Sequence, residues 1–98
     1  MEELNMNRFE VIEKAFEKAG FTVDGKAIWN SIEREALENI DGEGEFEMQE
    51  EDMFQDGKKV SGITYTISKK IIKNGEDDYY TEVRLLEIVI NGEKVFKI

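Results

Sequence analysis

Five Asx-Gly dipeptides, Asp24-Gly25, Asp41-Gly42, Asp56-Gly57, Asn74-Gly75 and Asn91-Gly92, cut the 98-residue chain at intervals of 17, 15, 18 and 17 residues. Gly accepts positive φ and Asx bonds its own backbone, so each pair favours a turn. The blocks between them share no sequence pattern, and the regular spacing reflects turn placement rather than an internal repeat. Hydrophobic periodicity then sorts the blocks into two helices followed by strands.

The first helix has signals at both ends. Asn7 is placed to cap it, Glu10 occupies the capping-box position, Met6 and Val11 have the spacing of a hydrophobic staple, and Gly20 stops it. Phe21 is then placed to fold back on Phe16. Phe9, Ile12, Phe16 and Ala19 form one apolar stripe, leaving Glu10, Glu13, Lys14, Glu17 and Lys18 to water. A second helix is predicted from about Asp24 to Asp41-Gly42, with Trp29, Ile32, Ala36, Leu37 and Ile40 as its stripe. Its start is open: Asp24-Gly25 also suits a short hairpin, with Asn30 capping a shorter helix against Glu33.

After Gly42 the period becomes two. Phe46 and Met48 face one side of a strand over Gly44 to Gln49 and Glu45 and Glu47 the other, the pattern of a half-buried antiparallel strand. The phase breaks at Glu50-Glu51-Asp52, where a bulge or strand end is expected. A second strand runs from Val60 to Lys73 with Ile63, Tyr65, Ile67 and Ile71 on one face, and a third from Tyr79 to Ile90. At the last turn, a two-residue loop would set Leu86 opposite Lys97 and mix the faces. A three-residue loop, Ile90-Asn91-Gly92, pairs Leu86 with Phe96 and Arg84 with Ile98 and segregates them better. The expected fold is α+β: one domain over residues 1–98, two N-terminal helices packed on one face of a four-stranded antiparallel meander.

Cysteine is absent, which excludes a disulfide framework and thiolate metal sites and makes a reducing cytoplasm the expected home. No run approaches the roughly 18 apolar residues that span a bilayer, and Met1-Glu2-Glu3-Leu4 is acidic where a signal peptide is basic. Histidine is absent as well, removing the commonest general base and metal ligand, and no phosphate-binding glycine pattern occurs. A carboxylate pair is all that remains for catalysis, and among 23 acidic residues such a pair arises by chance. No enzyme activity and no cofactor are expected. Asp41, Glu43 and Glu45 alternate like the first ligands of a calcium loop, but Phe46 stands where that loop needs Gly, so no metal site is expected either.

The net charge of −10 is lopsided: residues 1–57 hold 17 acidic and 5 basic side chains, residues 58–98 hold 6 and 8. Its centre is Asp41 to Gly57, with eight carboxylates and no Lys or Arg. Like charge at this density costs stability through self-repulsion, and the field repels nucleic acid and anionic lipid while steering basic surfaces inward. The candidate partner-binding residues are therefore Glu43, Glu45, Glu47, Glu50, Glu51, Asp52, Phe54 and Asp56, joined by Asp77, Asp78 and Tyr80 near the other strand turn. On one strand face, Glu43, Glu45 and Glu47 would form a row of charges about 6.7 Å apart, near the rise of two base steps. Phe54 and Met53 would flank that row as apolar anchors. Lys58-Lys59 and Lys69-Lys70-Lys73 are placed to offset it across the sheet.

The acidic, cysteine-free, single-domain composition is similar to that of small phage-encoded inhibitors of restriction or CRISPR nucleases, and of immunity proteins that neutralise basic nucleases. This likeness covers no motif and carries over no site. It implies a binding or inhibitory module that docks its acidic surface on a basic, nucleic-acid-handling protein, without touching nucleic acid or membrane itself. The alternative is a structural or accessory subunit that assembles through its sheet edge or exposed aromatics.

Overall fold

The computed structural model describes residues 7–98: helices α1 (Arg8–Lys18) and α2 (Gly25–Asn39), then strands β1 (Gly44–Glu50), β2 (Met53–Gln55), β3 (Lys58–Val60), β4 (Ile63–Lys73), β5 (Tyr79–Ile90) and β6 (Glu93–Lys97). The antiparallel sheet runs β1-β4-β5-β6, and β2 pairs with β3 in a separate hairpin. The α+β architecture is the expected one, two helices packed against a four-stranded meander. The β2–β3 hairpin, which the sequence reading lacked, sits between the first and second strands of that meander.

Helix α1 keeps both of its end signals. Asn7 Oδ1 accepts from the Glu10 amide at 2.9 Å, while Met6 of the predicted staple lies outside the described residues. At the other end Gly20 has φ +83°, its amide donates to the Glu17 carbonyl and the Phe21 amide to the Phe16 carbonyl, both at 2.9 Å. This closure folds Phe21 onto Phe16, and both rings are buried.

Asp24 caps α2, its carboxylate accepting from the amides of Lys26 and Ala27, so the hairpin and the later start at Asn30 do not occur. Glu13 of α1 takes the next free amide, that of Gly25, at 3.0 Å. The two helices meet backbone to backbone here: a Cβ on Gly25 would lie 2.1 Å from the Phe9 carbonyl oxygen. Ile28, Trp29, Ile32 and Ala36 face the core, with Arg8 4.9 Å over the Trp29 ring. Leu37, predicted in this stripe, is 48% exposed, because Ile28 completes the i, i+4 row with Ile32 and Ala36 and turns the helix away from Leu37.

The sheet core is Ile63, Tyr65, Ile67, Val83, Leu85, Ile88 and Ile90, with Val60 from the hairpin. Its registers correct the predicted last turn. Asn91 (φ +55°) and Gly92 (φ +82°) form a two-residue loop closed by Ile90 and Glu93, and neither Leu86–Phe96 nor Arg84–Ile98 pairs. Two bulges do the segregating instead. Leu86 is skipped between Leu85 and Glu87 in the ladder to β4, and Val95 is skipped in the ladder from β6, so that Phe96 opposes Ile88. The first bulge shifts the inward positions of β5 from Val83 and Leu85 to Ile88 and Ile90.

Two excursions leave the body. The hairpin turns at Asp56 (φ +51°) and Gly57 (φ +79°) and is tied to the helices by Gln55, whose amide donates to the Thr22 carbonyl (2.7 Å) and accepts from the Thr22 amide (2.9 Å). The other is an arm. β1 reaches only to Lys69 and β6 pairs only with the Ile90 end of β5, so Lys70–Lys73 and Tyr79–Glu82 pair with each other alone. Ile71, predicted on the core face, is 53% exposed because it stands in this arm, past the last β4 residue that β1 covers. The radius of gyration, 14.5 Å, exceeds the ~13 Å of a compact chain this long, as a projecting arm requires.

Candidate functional site

The acidic segment begins at the sheet edge. In β1, Glu45 opposes Ser68 and Glu47 opposes Thr66, and both carboxylates stand exposed on the face away from the helices. Glu43 does not extend this row. Gly42 (φ +84°) and Gly44 (φ +136°) bend the chain on either side of it, so the predicted row of three carboxylates is a pair. The lysines expected to offset these charges across the sheet are elsewhere: Lys69 buries its stem and donates to the Ile40 carbonyl at the C-cap of α2, and Lys70 opposes Glu82 in the arm. A cation at a helix C-terminus is favoured by the helix dipole.

The other predicted residues diverge. Glu50 alternates to the helix side of β1, and Glu51 follows it, exposed. Asp52 pairs with Lys59 at 3.3 Å, an exposed ion pair of small energetic weight. Phe54 projects from the hairpin at 71% exposure, opposite Lys59, whose ammonium lies 5.9 Å from the ring, and Asp56 forms the hairpin turn. Asp77 and Asp78 lie in the loop that ends the arm, where the Asn74 amide donates to the Asp78 carbonyl at 2.7 Å. Tyr79 and Tyr80 point to opposite faces of the arm, and both are more than half exposed. The arm tip stands ~13 Å beyond the last residue of β4 that β1 contacts, so Asp77, Asp78 and Tyr80 form a surface apart from Glu45 and Glu47.

What the fold does gather is a cleft of about 490 Å³ between α2 and β1. Glu35 comes from α2, Glu50 and Glu51 from β1 and its continuation, and Tyr65 from β4 forms part of the wall, while Glu47 borders the cleft from the strand edge with its carboxylate on the outer face. Among the described residues, no Lys or Arg pairs with Glu35, Glu50 or Glu51. The Tyr65 side chain is buried, 1% exposed, and its hydroxyl has no hydrogen-bond partner. Burial, and after it the charge of Glu50, push its phenol well above the ordinary tyrosine value, so it stays neutral. Among the described residues no group of three or more acidic side chains converges closely enough to hold a metal ion. Nor, among the described residues, is any helix long and apolar enough to cross a membrane.

The sequence reading missed Glu35 and Tyr65 as parts of this cleft. Glu35 is one of many exposed helical acids, with no local signal of what it faces. Tyr65 was assigned to the core stripe by parity, and the available clue was chemical: a tyrosine at a core position brings a hydroxyl that ordinarily finds a partner. No protein-family model matches the chain, and no curated protein and no solved structure matches it either.

Proposed function

We propose that the chain is a small binding or inhibitory module whose acidic half docks on a basic, nucleic-acid-handling protein. The observation that carries this reading is the edge strand β1: its outer side has no neighbouring strand, and its carboxylates Glu45, Glu47 and Glu50, with Glu51 beyond, have no cationic partner among the described residues. Charge that is neither neutralised internally nor needed to turn the chain is available to steer a cationic surface. Glu45 and Glu47, two residues apart on one face, keep the ~6.7 Å spacing that is near two base steps of a nucleic acid, reduced to a single step. Edge charge also discourages strand pairing between molecules, and the experiment has to separate the two roles.

The test is affinity capture from the native source with the wild type and with the Glu45→Lys/Glu47→Lys double variant, each at low and high salt. A basic nucleic-acid-handling protein retained only by the wild type, and released as ionic strength rises, is the expected result. Equal capture by the charge-reversed protein would reject docking through β1. The arm supports the second reading, assembly through exposed aromatics, since Ile71, Tyr79 and Tyr80 are each more than half exposed there. Association through that patch would be nearly indifferent to salt and would show as self-association in light scattering, lost on Tyr79→Ser/Tyr80→Ser.

A further inference from the structure

We infer that the cleft between α2 and β1 is a socket for an arginine side chain, presented by the basic protein on which the acidic half docks. Two independent features meet there. The first is charge: Glu35, Glu50 and Glu51 surround the opening, and no described Lys or Arg answers them. The second is Tyr65, which lines the same cleft and whose hydroxyl is buried and without a partner. A buried polar group left unbonded costs stability, so its retention in a core that a phenylalanine would fill equally well points to a ligand that completes it.

The chemistry of the cleft selects the ligand. Three carboxylates exclude anions. A bare divalent ion lacks a converging donor set, since no three acidic side chains come together. An organic cation fits better, because Ile32, Ile40 and Met48 line part of the cleft and would pack the methylene stem of a long cationic residue. Between the two such residues, arginine is favoured. Its planar head offers five N–H donors in a fixed fork, enough to serve the Glu50 carboxylate and donate to Tyr65 Oη together, where an ammonium is a compact, strongly hydrated point charge. The volume, about 490 Å³, lies in the range of preformed small-ligand sites and leaves room for the backbone that carries the side chain.

This inference rests on the docking reading above, and its test is arranged so that the two can fail separately. The probe is the peptide acetyl-Gly-Gly-Arg-Gly-Gly-amide, titrated into the full chain while the Tyr65 ring and Met48 methyl resonances are followed by NMR. Peptides with lysine or norleucine in place of arginine serve as controls. Saturable shifts at Tyr65 and Met48 with the arginine peptide are expected. Affinity should fall about ten-fold in Tyr65→Phe and again in Glu50→Gln, and stay within two-fold in Glu76→Gln, in the distant loop that ends the arm. Trp29 fluorescence, reporting the core, establishes that each variant is folded.

Equal binding of the norleucine peptide would show an apolar groove and overturn the inference, as would non-saturating shifts spread over every acidic residue. Equal or tighter binding of the lysine peptide would overturn the assignment to arginine, and full affinity in Tyr65→Phe would remove the hydroxyl from the site. A captured partner lost from Glu45→Lys/Glu47→Lys but held by Tyr65→Phe and Glu50→Gln leaves docking through β1 standing without the socket. Peptide binding in the cleft of a chain that captures no basic protein does the reverse.

Discussion

Replacing Tyr65 with phenylalanine should make the free protein more stable, the opposite of the usual outcome for a buried tyrosine. The ring is held by its neighbours on the sheet, Met48 on one side and Ile88 on the other, and the substitution leaves it in place. What it removes is one hydroxyl, buried and unbonded. Leaving a buried donor or acceptor unmade costs ~1–3 kcal/mol. Allowing for the small void where the oxygen was, the gain should be about 1 kcal/mol. For a domain of this size that raises Tm by roughly 4–8 °C. Thermal unfolding followed by circular dichroism at pH 7 measures the shift, and urea unfolding with an unchanged m-value establishes that compactness is the same. If the variant instead melts lower by a similar amount, the hydroxyl makes a hydrogen bond in the native protein and the argument for an incomplete cleft wall collapses.

Three further expectations follow from other parts of the fold. Because the folded protein holds the Tyr65 proton above the ordinary phenol value of about 10, the unfolded chain gives it up first as pH rises; the Tyr65 contribution to stability should therefore be constant below pH 10 and be lost above it, and the alkaline decline should be smaller in Tyr65→Phe, as read from urea midpoints. Gly25→Ala puts a methyl carbon 2.1 Å from the Phe9 carbonyl oxygen, so despite alanine's helical advantage of at most ~1 kcal/mol the protein should lose about 1–2 kcal/mol, and an unchanged Tm would mean that α1 and α2 have more room than described. Gln55→Ala breaks both bonds to Thr22, at a cost of about 1 kcal/mol, and should speed hydrogen exchange in β2 and β3 while the amides of β4 and β5 exchange as before; uniform acceleration would show that the hairpin is not a separate unit.

The parts of the fold that were legible are those whose signals are local. The ends of α1 were visible because Asn7, Glu10, Gly20 and Phe21 each act within one turn of the helix, and the α+β order was visible because hydrophobic period changes once, after Gly42. Register was hidden for a physical reason. Period-two patterning tells which residues share a face only while the ladder is regular, and Leu85-Leu86 is apolar at both parities, so the sequence cannot show which of the two is skipped. The β2–β3 hairpin was hidden by its shortness: in three-residue strands alternation hardly registers, and Asp56-Gly57 reads as a turn whether or not strands flank it. For the site, acidic density was plain in the sequence, but its division between the outer sheet face, the α2 cleft, the hairpin and the arm depends on strand pairing and on the bends at Gly42 and Gly44.

The β4–β5 arm also has an evolutionary consequence. From Lys70 to Glu82 no residue belongs to the buried set, so substitutions or insertions in that stretch exact little toll on folding. A lineage could rewrite the tip to meet a changing target while the body stayed constant, and an experimenter could graft a reporter epitope between Asp77 and Asp78 for the same reason.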